Sequence, residues 1–425
     1  MTTPTASLSV LLTSSESTDT SSTMVWLFWI ATAVAISPLV ARATRGLVPD
    51  VVSLLVLGAL IGPGVLGLAS TGSGIDLLSE LGLGLLFLIA GTEIQPATLR
   101  AAQGRQAAAT WILCMLLGFS VAWVFIPVAD FSVALVLALA ISSTALGALT
   151  PILRDIGLES TPLGRAVVTH GVMGELGPIL VIAVLLGSRA SLTTVAVLLG
   201  FALLAVLVAI APRALLLRIP GVSRAIVQGM HGTGQTGMRF IFWLLLSLMA
   251  AAAVLDLDLV IGAFAAGFVL RAIAPDDAHF LDEKLTVVAW SFLVPVFFLT
   301  TGMDVDVAAV ATSPGLLTVF VLMILGVRGG VVLLREQFTP TASELTTATE
   351  RVQLGLYAAA GLPIIVAVTE VAVEGDLMPG HVASVLVAAG IISVTLFPAL
   401  AQGLPHVASA RSRQHLRRMR RSRRP

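Results

Sequence analysis

Apolar stretches of about twenty residues, the length that crosses a bilayer core, follow one another along almost the whole chain. About thirteen can be drawn at that length, covering 24–42, 50–69, 76–95, 107–127, 131–152, 164–187, 191–212, 236–255, 257–273, 285–303, 314–334, 352–373 and 380–402. The polar connections are short and leave no room for a soluble domain. This periodicity predicts an all-α membrane protein of about thirteen transmembrane helices.

Composition supports the same reading. With 57% hydrophobic and 11% charged residues, a soluble fold would expose apolar patches far beyond the few hundred Å² that monomers tolerate. Basic residues mark cytoplasmic loops. If the arginine-rich C-terminal tail lies inside, the inner loops carry Arg42 and Arg45, Arg100 and Arg105, Arg154 and Arg165, Arg213, Arg218 and Arg224, Arg271 and Lys284, and Arg335 and Arg351. The outer loops carry Asp130, Asp256, Asp258, Asp304, Asp306, Glu374 and Asp376, with Arg189 the basic exception. The expectation is a multi-pass protein of the cell membrane with its N-terminus outside and its C-terminus cytoplasmic. The tail suits contact with anionic headgroups. The N-terminus lacks the basic n-region of a secretory signal, and a single cysteine, Cys114, excludes an intrachain disulfide.

The third stretch ends Phe87-Leu88-Ile89-Ala90-Gly91-Thr92-Glu93-Ile94 and the tenth ends Phe298-Leu299-Thr300-Thr301-Gly302-Met303-Asp304-Val305. One helix earlier stand Leu57-Gly58-Ala59-Leu60 and Ile261-Gly262-Ala263-Phe264. The charge-derived topology ends the first copy inside and the second outside, so the halves are expected to be inverted repeats, a signature of secondary transporters. The expected organisation is a polar extracytoplasmic N-terminus over 1–23, a first repeat of six helices over 24–190, a linker helix and loop over 191–235, a second repeat of six over 236–403, and a basic cytoplasmic tail over 404–425.

Ionisable groups at bilayer depth are costly and mark function by default. Glu175 lies ~16 Å along the sixth stretch at ~1.5 Å per residue, within Gly171-Val172-Met173-Gly174-Glu175-Leu176-Gly177-Pro178. Pro178 withholds a helix hydrogen bond, which would leave a carbonyl near Glu175 free to meet an ion. Arg328, midway along the eleventh stretch, needs a carboxylate or a carbonyl cluster. Paired with Glu175 it would be either a structural ion pair or one that a cation displaces. In the fifth stretch, Ser142-Ser143-Thr144-Ala145-Leu146-Gly147 suits an unwound segment, with Ser143 and Thr144 the candidate ligands. Its counterpart is the twelfth stretch around Gly361 and Pro363. Asp76 and Glu80 would line a cation-attracting vestibule or form a solvated helix end. Glu93, Asp304 and Glu370 read as structural, and His170 as a packed or snorkelling histidine with pH sensing the alternative. No nucleotide loop, metal-ligand spacing or nucleophile-base pattern is present, so no enzyme, cofactor, nucleic-acid partner or resident metal is expected.

The run Val48-Pro49-Asp50-Val51-Val52 leading to Gly58-Ala59-Leu60-Ile61-Gly62-Pro63-Gly64-Val65-Leu66-Gly67 resembles the second helix of the cation:proton antiporter superfamily, in its potassium-efflux and sodium/hydrogen exchanger branch. Ser142-Ser143-Thr144-Ala145, Thr161-Pro162-Leu163-Gly164-Arg165 and the 295–304 stretch continue the resemblance in order. It implies a homodimer with a dimerisation domain and a moving core, the core holding two crossed, interrupted helices, here the fifth and twelfth. Ser142, Gly147, Gly361 and Pro363 would mark the breaks. The family's ion-binding acid falls on Glu175 and its basic partner on Arg328. Where the family commonly has Gln-Asp or Asp-Asp, this chain has Gly174-Glu175. The expected function is exchange of a monovalent cation, Na+ or K+, for protons by alternating access, both competing for Glu175. A cation-coupled organic-anion symporter of the same fold and a non-transporting membrane sensor stand as alternatives; a channel suits the inverted repeat less well.

Overall fold

The computed structural model describes residues 5–43, 49–93, 101–126, 130–185, 236–255, 257, 259–273, 284–339, 341 and 343–404. The expected linker helix, 191–212, and most of the tail fall outside the described residues. All regular elements among the described residues are helical: α1 (Thr5–Ala43), α2 (Asp50–Ile61), α3 (Ser73–Glu93), α4 (Ala102–Phe125), α5 (Phe131–Ile141), α6 (Leu146–Asp155), α7 (Pro162–Leu185), α8 (Thr236–Val254), α9 (Leu259–Ile273), α10 (Lys284–Met303), α11 (Val307–Thr312), α12 (Pro314–Phe338), α13 (Ala348–Ala358), α14 (Leu362–Glu374) and α15 (Gly380–Gly403). Eight helical spans among them are long and apolar enough to cross a membrane.

Two departures from the expected spans appear near the N-terminus. Helix α1 begins at Thr5, so helix runs back through the polar N-terminal segment. The second stretch, expected to reach residue 69, is helical only to Ile61. There Gly62, Pro63 and Gly64 follow, Pro63 has no N–H to give, and Gly67 closes the turn at φ 61°, where a Cβ is disfavoured. The fifth and twelfth stretches are each split, into α5 and α6 and into α13 and α14. Helices α10 and α12 also contain wide π-turns at Ala289–Leu293 and Ile324–Gly330.

The helices pack as two groups that alternate in sequence. One holds α1, α2, α3, α8, α9 and α10; the other holds α4 to α7 and α12 to α15, and the groups meet where α7 touches α3 and α9. In the first group the repeated Phe-Leu-x-x-Gly runs take matching places. A Cβ on Gly58 would lie 2.1 Å from the Leu299 carbonyl oxygen, and one on Gly267 would lie 2.0 Å from that of Leu88. Reciprocally, a Cβ on Gly302 would lie 2.3 Å from the Leu55 carbonyl oxygen, and one on Gly91 would lie 2.4 Å from that of Phe264. Glycine is required at these four crossings because backbone meets backbone. The counterpart of Gly58 in these contacts is Gly267, five residues beyond the Gly262 expected from sequence; Gly262 backs onto Leu248 of α8 instead.

Candidate functional site

The second group is centred on the two breaks, which lie against each other. Ser142, Ser143 and Thr144 are all buried, so their backbone groups and hydroxyls need partners. The Ser143 hydroxyl lies in donating reach of the Ala140 and Gly361 carbonyls, at 2.7 and 3.2 Å. Thr144 Oγ1 donates to the Ala358 carbonyl at 2.6 Å, and the Ala145 N–H donates to that of Ala360 at 2.6 Å. A Cβ on Gly361 would lie 2.7 Å from Ser143 Oγ, which explains glycine there. Ser142 caps α5, Gly147 is the second residue of α6, Gly361 caps α14, and Pro363 sits in its first turn, where a missing N–H costs nothing.

Helix α7 closes the site. Pro178 leaves the Gly174 carbonyl without its helical donor, and the Thr144 N–H fills that place at 3.2 Å. The carbonyl expected to await an ion is therefore used by the break. One residue on, Glu175 Oε1 accepts the N–H of Leu146 at 2.8 Å. Leu146 is the first residue of α6, so the carboxylate caps the positive end of that helix dipole. Arg328 enters from the π-turn of α12 with no accessible surface. Its Nε donates to Thr144 Oγ1 at 3.0 Å, one terminal nitrogen donates to the His170 carbonyl at 2.7 Å, and the other stands 3.8 Å from Cys114 Sγ. The guanidinium thus meets a hydroxyl, a carbonyl and a thiol. Glu175 and Arg328 hold the same break at Leu146 and Thr144, two residues apart. A Cβ on Gly174 would come within 2.6 Å of Thr144 Oγ1 and 2.7 Å of the Arg328 guanidinium. Any larger residue at 174 would have to displace one of them.

Sequence reasoning missed Glu336, Thr341 and Ser343. Glu336 is buried near the end of α12, with its Oε2 accepting from the hydroxyls of Thr341 at 2.7 Å and Ser343 at 2.5 Å. His170 is buried against it, Nε2 to Oε1 at 3.5 Å, so it does not snorkel. The readable signal was the run of hydroxyls at 339, 341 and 343 after a lone acid.

Acidic residues also gather where the helix groups meet. A cavity of about 510 Å³ is lined by Glu80, Leu83, Met249, Val260, Glu370 and Glu374, among others. Glu370, expected to be structural, shares this wall with Glu80. Asp76 faces Asp304 instead: partial burial, and then the Asp76 charge, push the Asp304 carboxyl up to about 6. The Glu93 side chain lies outside the described residues.

The sequence matches the family model described as sodium/hydrogen exchanger, transmembrane, over residues 30–405. It is 25% identical to the Na(+)/H(+) antiporter NhaS4 of Synechocystis over 61% of this chain and 68% of that protein. It is 26% identical to the Na(+)/H(+)-K(+) antiporter GerN of Bacillus cereus over 60% of this chain and 65% of that protein. A match to the glutathione-regulated potassium-efflux protein KefC of Escherichia coli is 27% identical, over 68% of this chain. The chain spans about half the length of some curated relatives, 46% of KefC and 49% of a Bacillus subtilis relative. The solved sodium proton antiporter MjNhaP1 of Methanocaldococcus jannaschii shares the fold at a TM-score of 0.58 and 16% identity, covering 89% of this chain and 95% of that one.

Proposed function

Because the chain belongs to the sodium/hydrogen exchanger family, we propose that it exchanges a monovalent cation, Na+ or K+, for protons by alternating access, with Glu175 as the shared carboxylate. The observation that carries this reading is the placement of Glu175 on the N–H of Leu146 at the break of α5 and α6. A helix N-terminus favours negative charge, and a proton or a cation can each neutralise a carboxylate placed there. Neutralisation lowers the cost of moving the site past apolar surroundings. Ser143 and Thr144 supply further oxygen lone pairs, and Arg328 balances the charge of the emptied site. One carboxylate exchanging one proton for one cation is electroneutral.

The moving core is the group built from α4 to α7 and α12 to α15, and the acid-lined cavity at its boundary offers cations a route inward. The paired contacts Gly58–Leu299 and Gly267–Leu88 support inverted repeats over 24–190 and 236–403. In this reading the chain crosses the membrane thirteen times, with the N-terminus outside and the C-terminus cytoplasmic, and assembles as a homodimer. The test is a flux assay on proteoliposomes carrying a pH gradient, with Na+, K+ and Li+ added in turn. Wild type should dissipate the gradient with at least one of them and Glu175→Gln with none. A Glu175→Gln protein that still did so would sink the reading.

A further inference from the structure

Helix α12 meets α7 at two levels, and both contacts end on His170. At the upper one Arg328 donates to the His170 carbonyl at 2.7 Å. At the lower one Glu336 Oε1 stands 3.5 Å from His170 Nε2, the two side chains being 2% and 4% exposed. Glu336 Oε2 is already taken by the Thr341 and Ser343 hydroxyls of the segment that leads to α13. Its Oε1 and the His170 Nδ1 have no hydrogen bond. A gap of 3.5 Å is too long for a good bond. A proton on Nε2 would turn it into a charge-assisted contact of about 2.8 Å.

The surrounding charges are few. Glu336, Arg328 and Arg335, all on α12, act on His170. Arg335 is turned to Gln106 of α4 at 2.6 Å, and Cys114 of α4 faces Arg328. On α7 itself Arg165 bridges to exposed Glu344 at 3.1 Å. On α13 Glu350 caps its own helix and Arg351 reaches Gln337. The side chains of Arg154 and Asp155, at the end of α6, lie outside the described residues.

We propose that His170 and Glu336 are positioning residues that bind one proton between them and so set the pH at which a cation can enter the Glu175 site. The inference rests on the exchange reading above. Proton uptake on Nε2 from the side where Thr341 and Ser343 lie draws α12 against α7. Arg328 is then held on the His170 carbonyl and on Thr144 Oγ1. While Arg328 keeps that oxygen, a cation cannot use it. Loss of the proton slackens the lower contact and lets Arg328 release Thr144.

The test measures exchange in proteoliposomes against pH on the loop side at fixed Na+ or K+. His170→Gln cannot take up the proton, so its midpoint should move about one pH unit to the acid side. At acid pH its half-saturating cation concentration should fall about tenfold, the equivalent of that unit. The maximal rate at alkaline pH should be unchanged. Glu336→Gln should move the same way, and the double variant no further. Ser343→Ala removes a hydroxyl that stabilises the Glu336 anion, so the pair holds its proton more firmly and the midpoint should move to the alkaline side. Unmoved midpoints, shifts of the opposite sign, or a uniform fall in rate at every pH would overturn the proposal. If wild type moved no protons with any cation, the exchange reading would fail first. The latch would then be judged by melting in detergent, where the gap between wild type and His170→Gln must change with pH; a constant gap overturns it.

Discussion

Glu175 Oε1 lies 2.8 Å from the backbone nitrogen of Leu146, the residue on which the broken helix resumes. A carboxylate and a helix start are thereby joined across two elements. Leu146 is at the first helical position, where proline is tolerated because no helical partner is lost. Leu146→Pro therefore removes this N–H with little cost to α6 itself. The ionised carboxylate loses a charge-assisted hydrogen bond of about 1.5 kcal/mol. Exchange measured across pH should therefore fall by about tenfold, the equivalent of that energy, because the carboxylate is no longer held at the helix start. A profile unchanged in folded protein would mean the contact is incidental.

Arg328 should be the most costly single residue to truncate. It is fully buried and joins Thr144, the His170 carbonyl and Cys114. Arg328→Ala leaves those acceptors unpaired and opens a cavity, for a loss of about 3–5 kcal/mol. Arg328→Lys keeps the charge, but a single ammonium replaces a planar fork, so it should recover only part of the stability. Thermal melting of the purified protein, with size-exclusion profiles as a check on folding, ranks the three. A near-neutral Arg328→Ala would contradict the geometry.

Two glycines on neighbouring elements give a matched pair. Gly174→Ala would drive a methyl to within 2.6 Å of Thr144 and 2.7 Å of the Arg328 guanidinium, whereas a Cβ on Gly326 meets nothing within 4 Å. Gly174→Ala should cost about 1–3 kcal/mol and depress exchange. Gly326→Ala should be neutral or slightly stabilising despite lying in the same π-turn as Arg328. Equal melting temperatures for both variants would show that crowding at Gly174 is relieved by small shifts.

The sequence made the depth of Glu175 and Arg328 readable because apolar runs fix which residues lie mid-helix. It also marked the first break, by the run of hydroxyls at 142–144 beside Gly147, and offered the region of Gly361 and Pro363 as its counterpart. Pairings across the fold were less legible. The Gly174 carbonyl accepts the Thr144 N–H, thirty residues away, and no local pattern marks that pair. Glu336 lies beyond the apolar run 314–334, and nothing in that run shows that Thr341 and Ser343 fold back on it. Glycines are frequent in apolar helices, so pattern alone singles out Gly262 where the contact matching that of Gly58 falls on Gly267. What selects Gly267 over Gly262 is the neighbour each one meets, Leu88 against Leu248.

Asp304, just past the end of α10, provides a pH test outside the spanning segments. Its carboxyl is pushed up to about 6 from an ordinary 3.8, by burial first and by Asp76 second. A raised acid binds its proton more tightly in the folded state. Its contribution is therefore fully present below about pH 4 and is lost as pH rises to about 6. The residue as a whole stays exposed although its carboxyl is partly buried, so screening limits the effect to less than about 1 kcal/mol. Asp304→Asn should remove this slope, melting about 1–2 °C above wild type at pH 7.5 and level with it near pH 4. Asp76→Asn should give a smaller gain at pH 7.5, and almost none when Asp304 is already Asn, because the repulsion needs both charges. Melting curves at the two pH values decide it: an Asp304→Asn gain that is the same at both would rule out titration of this group as the cause.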